Sequence, residues 1–315
     1  MSLRAFAAGF LSSKVEDYIR LRRALGHSFQ KQAWELQSFS RFVGHQKEAR
    51  HLTQRLALAF VLSREVTART RAKCLAVIGR FAEYLSVFDP QTEVIDKKAI
   101  PGTRLTPAPR ILSYEELSRL LSVARQRSRS DPLHGQTLYT IIGLLASAGL
   151  RSGEAVRLDR PDVDLDRGIL QVRRTKFRKD RLVPVHQTTR DALRAYAAAR
   201  DKAYPLGDPS AFFLNLGGRR LSKGRLQALF QRARADAGLD VGIPRGVRLH
   251  DLRHRFATTR VLTWSQEGVD VQGRLPLLAT YLGHARYTDT AYYITGTAEL
   301  LGLAAERAFA LKGDS

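Results

Sequence analysis

Hydrophobic positions along the first hundred residues recur at helical spacing. Lys14 to Leu25 carries Val15, Tyr18, Ile19 and Leu25 on one side, and Gly26 supplies a stop. Phe29 to Val43 puts Trp34, Phe39, Phe42 and Val43 inward, and Leu52 to Leu62 predicts a third helix. Thr67 is placed to cap a fourth, running to Leu85, with Leu75, Ile78, Phe81 and Leu85 buried and Arg69, Arg71, Lys73 and Arg80 outward. No catalytic arrangement is visible in this part. Periodicity then fails from Asp96 to Arg110, where Lys97, Lys98, Pro101, Gly102, Pro107 and Pro109 give an extended, partly stiff linker. The pattern therefore divides the chain into a helical domain over 1–96, a linker over 97–110 and a second domain over 111–315.

Ser113 and Glu116, three apart, form a capping box that opens the second domain with a helix to about Arg125. An apolar helix from about Gly135 to Ala148 breaks at Gly149 and restarts after Arg151. From Asp162 the period changes to two. Val163 and Leu165, a turn at Asp166-Arg167-Gly168, then Ile169 to Arg173 and Arg181 to Val185 predict a small antiparallel sheet. Helices follow over Asp191–Tyr204 and Ser222–Gly238, the latter with Leu226, Leu229 and Phe230 inward and Arg225, Arg232 and Arg234 outward; Phe212-Phe213-Leu214 between them is a short buried strand or turn. A loop with Gly242, Pro244 and Gly246 leads into Leu249–Phe256. Leu275 to Leu282 ends at Gly283, and Ala298 to Leu311 makes a last apolar helix. The fold class is mainly α with a small antiparallel β-sheet (α+β).

Composition changes this picture through charge. Of 315 residues, 52 are Lys or Arg against 30 Asp or Glu, leaving +22 at neutral pH. Such an excess favours a polyanion as partner, with DNA the first candidate. An anionic membrane surface is the competitor, but no basic amphipathic anchor stands out. Pro132 to Leu150 lacks formal charge, yet His134, Gln136 and several Gly and Thr residues make it a buried helix, not a span. Met1 to Leu11 resembles a signal peptide only faintly, because charged helical sequence follows at once. Cys74 is the only cysteine, which excludes a disulfide framework and a cysteine zinc site and fits a reducing cytosol; Cys74 itself reads as a small core residue.

Five fragments, the last two read together, carry candidate chemistry. Leu249-His250-Asp251-Leu252-Arg253-His254-Arg255-Phe256 sets His250 and Arg253 three apart, so on a helix both leave from one face, with Leu249, Leu252 and Phe256 as its anchor. An imidazole beside a guanidinium fork grips a phosphate well; a basic surface helix in a basic protein is the plain alternative. Arg151 stands after Gly149 at the mouth of a new helix, whose free amides favour an anion. The hairpin tip Thr175-Lys176-Phe177-Arg178-Lys179-Asp180, flanked by Arg173, Arg174 and Arg181, has the shape to reach into a groove, though a basic tip also serves solubility. His284 lies nine residues before Tyr293. On one continuous helix of ~3.6 residues per turn they would point about half a rotation apart. The Thr288-Asp289 pair, a natural N-cap, predicts a turn and restart that lets both face one site. Tyr292 and Tyr293 as plain core aromatics is the alternative.

Taken together, these fragments resemble the tyrosine recombinases, the phage-integrase family. The likeness covers Ile111 to Lys312, and the helical first part looks like the family's core-binding domain. Ala148-Gly149-Leu150-Arg151-Ser152-Gly153-Glu154 is similar to the first arginine box, and Lys176 to the β-hairpin lysine. His250 with Arg253 matches the His-x-x-Arg box, Leu282-Gly283-His284 the Leu-Gly-His box, and Tyr293 the nucleophile position nine beyond it. Five weak fragments in the right order make a strong one. Ile294-Thr295 departs from the small-residue-then-His ending often seen, and Tyr292 makes the register a question that the nine-residue spacing answers with Tyr293.

The resemblance implies roles. Tyr293 would attack the phosphate; Arg151 and Arg253 would neutralise its non-bridging oxygens. Lys176 would protonate the departing 5′ oxygen, and His250 and His284 would position the phosphate and manage the tyrosine proton, with Glu154 orienting its neighbours. Arg173, Arg174, Arg178, Lys179 and Arg181 on the hairpin, Lys97 and Lys98 in the linker, and Arg69 and Lys73 on the fourth helix are the expected DNA contacts. A covalent 3′-phosphotyrosine stores the bond energy, so neither metal nor cofactor is implied. The expected partners are double-stranded DNA and further copies of the chain, a dimer per site and a tetrameric synapse. The C-terminal stretch also resembles recombinases of transposable elements, including those encoded in sets of three, which adds sister recombinases as partners. Localisation would be cytoplasmic, in a bacterium, on the nucleoid, with no membrane association. A DNA-binding protein that pairs sites without cutting, and a type IB topoisomerase, are the competing functions; salt-sensitive binding without an adduct would mark the first, relaxation without a preferred site the second.

Overall fold

The computed structural model describes residues 3–46, 49–101, 110–130, 132–173, 180–240, 246–284 and 290. The chain divides into two compact units, Met1–Pro107 and Ala108–Ser315.

The first unit contains α1 (Leu3–Ala24), α2 (Gln30–Gly44), α3 (Gln54–Leu62) and α4 (Ala68–Leu85). Thr53 and Thr67 start α3 and α4, their hydroxyls accepting from Leu56 N at 3.2 Å and Thr70 N at 3.3 Å. Leu36, Phe39, Leu75, Ile78, Phe81 and Leu85 close the core, and Cys74 sits among them. Two positions expected inside are outside. Leu25 is 63% exposed because α1 ends at Ala24, so it lies in the following turn. Trp34 is 54% exposed because Ala33, Leu36, Phe39 and Val43 already define the buried face of α2; the Arg64 guanidinium lies 5.4 Å over its ring. The first unit also continues beyond Asp96. Gln54 Oε1 accepts from Asp96 N at 2.8 Å, and Ile100 packs against the core, so the stretch to Pro101 is held and not free.

The second unit begins with α5 (Tyr114–Ser130). Its capping box forms as the spacing requires, Glu116 N donating to Ser113 Oγ at 3.1 Å and Ser113 N to Glu116 Oε2 at 2.9 Å. Helix α6 (Pro132–Ala148) packs against α5, α8 (Gln187–Ala203) and α10 (Leu249–Gln266), which explains its lack of charge; Leu138, Ile141, Ile142, Leu144 and Leu145 are all buried. A short α7 (Ser152–Ala155) follows. Strands β1 (Val163–Asp164), β2 (Ile169–Val172) and β3 (Arg181–Pro184) form one antiparallel sheet in chain order. Leu170 pairs with Val183 and Val172 with Arg181, so the inward face of the sheet is Leu170, Val172 and Val183.

Helix α8 starts at Gln187, earlier than periodicity placed it, because the His186 ring nitrogen Nδ1 accepts from Thr188 N at 3.3 Å and serves as cap. Ser222 caps α9 (Lys223–Asp236). Arg234, expected outward, turns in: its Nη1 donates to Val247 O at 2.8 Å and its Nε pairs with Asp240 at 2.5 Å. Those bonds pin the entry to α10. Ala257 and Val261 of α10 pack on Leu275, Leu278 and Leu282 of α11 (Val271–Leu282). The expected cap at Thr288-Asp289 and the helix over 298–311 lie outside the described residues. Among the described residues, no helix is long and apolar enough to cross a membrane.

Candidate active site

Two helices end at the same place. Helix α6 stops at Ala148 and Gly149 turns with φ +61°; α11 stops at Leu282 and Gly283 turns with φ +67°. A helix end leaves its last carbonyls without partners further along the helix, and those carbonyls carry its partial negative charge. Three guanidinium groups take them. Arg253, which has no exposed surface, donates from Nη1 to Gly149 O and from Nη2 to Leu282 O, both at 2.7 Å. Arg151 Nη2 donates to Gly283 O at 3.0 Å, and Arg181 Nε to Tyr281 O at 2.8 Å. Neither turn tolerates a side chain easily: a Cβ on Gly149 would stand 2.5 Å from the Phe256 ring, and one on Gly283 would stand 2.8 Å from Arg181 Nη1.

One carboxylate answers these cations. Glu154, buried in the first turn of α7, accepts from Arg151 N at 3.0 Å and Arg151 Nη1 at 2.8 Å. It also accepts from Arg181 Nη1 at 3.2 Å and Arg181 Nη2 at 2.9 Å. Burial alone would raise its pKa, but Arg181 first and Arg151 second overcome that and hold the carboxyl at about 2. Among the described residues, Arg151, Arg181 and Arg253 against Glu154 leave the pocket cationic, ready for an anion.

The histidines stand in that field. His284 follows Gly283 directly, and its Nδ1 shares a 2.7 Å hydrogen bond with the Thr290 hydroxyl. Burial, then the charges of Arg253 and Arg151, push its pKa down to about 3. His250, in the first turn of α10, is set by Asp251, whose fully buried carboxylate accepts from Arg248 N at 2.8 Å and fixes the helix start. The His250 ring packs edge-on to His254 at 4.6 Å. Crowding by surrounding atoms, then His254, Arg253 and Arg248, push its pKa down to about 4. Both imidazoles are therefore neutral at pH 7 and able to accept a proton from a neighbouring acid.

Of the residues singled out by sequence, the structure brings together Arg151, Glu154, Arg253 and His284, with His250 close enough to feel and to perturb them. Lys176, Tyr293, Arg174, Arg178 and Lys179 lie outside the described residues. Arg173 is exposed, its Nε paired with Asp162 at 2.7 Å. Arg69, Lys73 and Lys98 are exposed on the first unit, and Lys97 there is paired with Glu83. Arg181 departs from the expectation of a surface contact: its side chain is only 10% exposed and belongs to the cluster. The signal was in the strand period. Arg181 shares the inward face with Val183, two residues on, while Leu182 between them points out. Two carbonyl acceptors of the site, at Gly149 and Gly283, were visible in the sequence only as helix stops.

The family model for the phage integrase family matches residues 110–299, more than half of the chain. A relative named "Putative integrase/recombinase y4rE", from Sinorhizobium fredii, is 54% identical over 98% of both chains. The tyrosine recombinase XerA of Thermococcus kodakarensis is 36% identical over 70% of this chain and 68% of its own length. Among solved structures, the integrase of the transposon Tn1549, in complex with transposon right end DNA, superposes with a TM-score of 0.66 at 16% identity, covering 94% of this chain and 98% of that one. The arginine-lined meeting point of two helix ends thus lies within the matched span, and the chain belongs to the phage integrase family, that of the tyrosine recombinases.

Proposed function

We propose that this protein cuts and rejoins double-stranded DNA at specific sites, through a 3′-phosphotyrosine on Tyr293, in the movement of a mobile element. The observation that carries the reading is the convergence of Arg151 and Arg253 on the same pair of helix ends, Gly149 with Leu282 and Gly283, beside His284. Tyrosine is a weak nucleophile at its ordinary pKa of ~10, so the reaction needs positive charge fixed around the phosphate before attack. Arg151 is 26% exposed and, among the described residues, uses two of the five N–H donors a guanidinium holds, which leaves donors for the non-bridging oxygens. Arg253, enclosed, adds its charge from beneath.

The Tyr293 phenolic oxygen forms a bond to phosphorus as the bond from phosphorus to the 5′ oxygen breaks. The phenolic proton passes to a neutral imidazole, His284 or His250, and Lys176 gives a proton to the departing 5′ oxygen. Attack by a new 5′-hydroxyl reverses every step, so the phosphodiester is restored without an energy source. Phosphate contacts come from Arg69, Lys73, Lys97 and Lys98 on the first unit and from Arg173, Arg174, Arg178 and Lys179 of the second. Strand exchange between two sites requires two copies of the chain per site and four in the synapse. The relative named putative integrase/recombinase, 54% identical over 98% of both chains, supports an integrase's role.

A set of nicked duplexes tiled across the DNA that flanks the gene tests this. The nick lets the short 5′-hydroxyl strand diffuse away, which traps the cut state. Wild type should leave a covalent protein–DNA band on a denaturing gel, and Tyr293→Phe none. An adduct formed by Tyr293→Phe would refute the nucleophile. Salt-sensitive binding with no adduct on any duplex would replace the reading by site pairing without cutting.

A further inference from the structure

Arg181 is basic, sits at the foot of the hairpin and would be counted by composition among the DNA contacts. Its surroundings say otherwise. Nε is bound to Tyr281 O at 2.8 Å, and Nη1 and Nη2 grip the two Glu154 oxygens at 3.2 and 2.9 Å. The same carboxylate holds Arg151 by its main-chain N and Nη1. Arg181 also pairs with Val172 as the first residue of β3. One guanidinium therefore ties the sheet, α7 and the C-terminal end of α11 into a single frame, and Gly283 lacks the side chain that would intrude on it. Arg151 and His284 both hang from that frame, Arg151 through Glu154 and His284 through the chain that follows Tyr281.

We infer that Arg181 is a positioning residue: it orients Arg151 through Glu154 and locates His284 through the end of α11, without itself touching DNA. This inference rests on the function proposed above. A fork that is bidentate to a buried carboxylate has fixed geometry, which a lysine cannot copy. Removing it frees Glu154 to rotate and leaves Arg151 without a set direction. The loss should fall on the chemical step, because Arg151 matters most as charge builds on the phosphate. Binding of DNA should hardly change.

The test compares Arg181→Ala, Arg181→Lys and Arg151→Ala, and the double variant Arg181→Ala/Arg151→Ala, in the full-length protein on the most reactive nicked duplex. Single-turnover adduct formation at saturating protein should fall by about 100-fold in Arg181→Ala, of the order expected for misplacing one oxyanion donor. Arg181→Lys keeps the charge and should recover less than about tenfold of that, because the fork is what positions. The double variant should be slower than Arg151→Ala alone by clearly less than the about 100-fold seen for Arg181→Ala, since the part of the effect that runs through Arg151 is already lost. The slope of log affinity against log salt should stay at the wild-type value in Arg181→Ala, whereas loss of a phosphate contact would reduce it by about 0.9. A reduced slope, or a double variant slowed by the product of the two single effects, overturns the inference and makes Arg181 an independent DNA contact. Wild-type adduct rates in Arg181→Ala also overturn it, while leaving the proposed function standing. Absence of an adduct with wild type on every duplex would instead remove the proposed function itself. If Arg181→Ala proves unfolded by circular dichroism, Arg181→Lys carries the comparison: wild-type rate there overturns the inference.

Discussion

Replacing Glu154 by glutamine removes the negative charge that faces Arg151 and Arg181 while keeping the shape of the side chain. The side chain is 2% exposed, so solvent cannot screen the change. The carboxyl is held at about 2 against an ordinary 4.5, and at about 1.4 kcal/mol per pH unit that difference makes ionised Glu154 contribute about 3 kcal/mol to the second unit. Independently, removing one partner of a buried ion pair costs about 3–5 kcal/mol, and glutamine turns an NH2 toward a guanidinium, so the two routes agree. The sign with pH follows from the depressed value. The contribution is complete above the unfolded value of 4.5 and disappears as pH falls toward about 2, with about 1.4 kcal/mol of it gone by about pH 3.5. The chain holds two tryptophans, Trp34 in the first unit and Trp264 on α10, so a Trp34→Phe background makes fluorescence report the second unit alone. Urea unfolding of that background with and without Glu154→Gln should differ by about 3 kcal/mol at pH 7 and by clearly less at pH 3.5. A difference below about 1 kcal/mol at pH 7, or one unchanged between the two pH values, would refute the idea that this carboxylate neutralises the cluster.

Other consequences are open to direct measurement. Gly149→Ala should destabilise the second unit by about 2–4 kcal/mol in the same unfolding assay, since a left-handed φ of +61° and a 2.5 Å approach to Phe256 both oppose a Cβ; a loss under about 0.5 kcal/mol would contradict the packing described. His250 and His284 have folded values near 4 and 3, below the ordinary 6.5, so the unfolded chain takes up protons first and stability should fall as pH drops from 6.5 toward 4; His284→Gln should flatten that slope. For the same reason the adduct-forming rate at limiting DNA should show no inflection near pH 6.5, and an inflection there would mean that one imidazole is charged in the free protein. Arg69→Ala and Lys73→Ala should each lower the salt slope of DNA binding by about 0.9, as lost phosphate contacts do, and an unchanged slope would remove them from the interface.

How much of this was legible in the sequence depends on the range of the interaction. Local signals were sufficient for the elements. Thr67, Ser113 with Glu116, and Ser222 cap the helices they precede, and alternation from Asp162 gives the small sheet. The bracketing of Arg151 by Gly149 and Glu154, and of His284 by Gly283, was readable as motif. What the motif could not convey is why the glycines are there. Their purpose is to turn out carbonyls for arginines more than a hundred residues away, Gly149 for Arg253 and Gly283 for Arg151. A run of basic residues puts Arg181 at the surface, whereas strand parity with Val183 turns its side chain inward. Trp34 was placed inside by hydrophobicity, and helix phase together with Arg64 kept it out. Errors of this kind come from treating residue type as decisive when position on the element decides.

The central claim is that a fixed cluster of cations lets one phenolic side chain displace a 5′ oxygen from a phosphodiester. Proteolysis of the trapped adduct followed by mass spectrometry of the DNA-bearing peptide tests it most directly. The account predicts a nucleotide joined through its 3′-phosphate to Tyr293. A nucleotide on Tyr292, on any other side chain, or joined through a 5′-phosphate would contradict it.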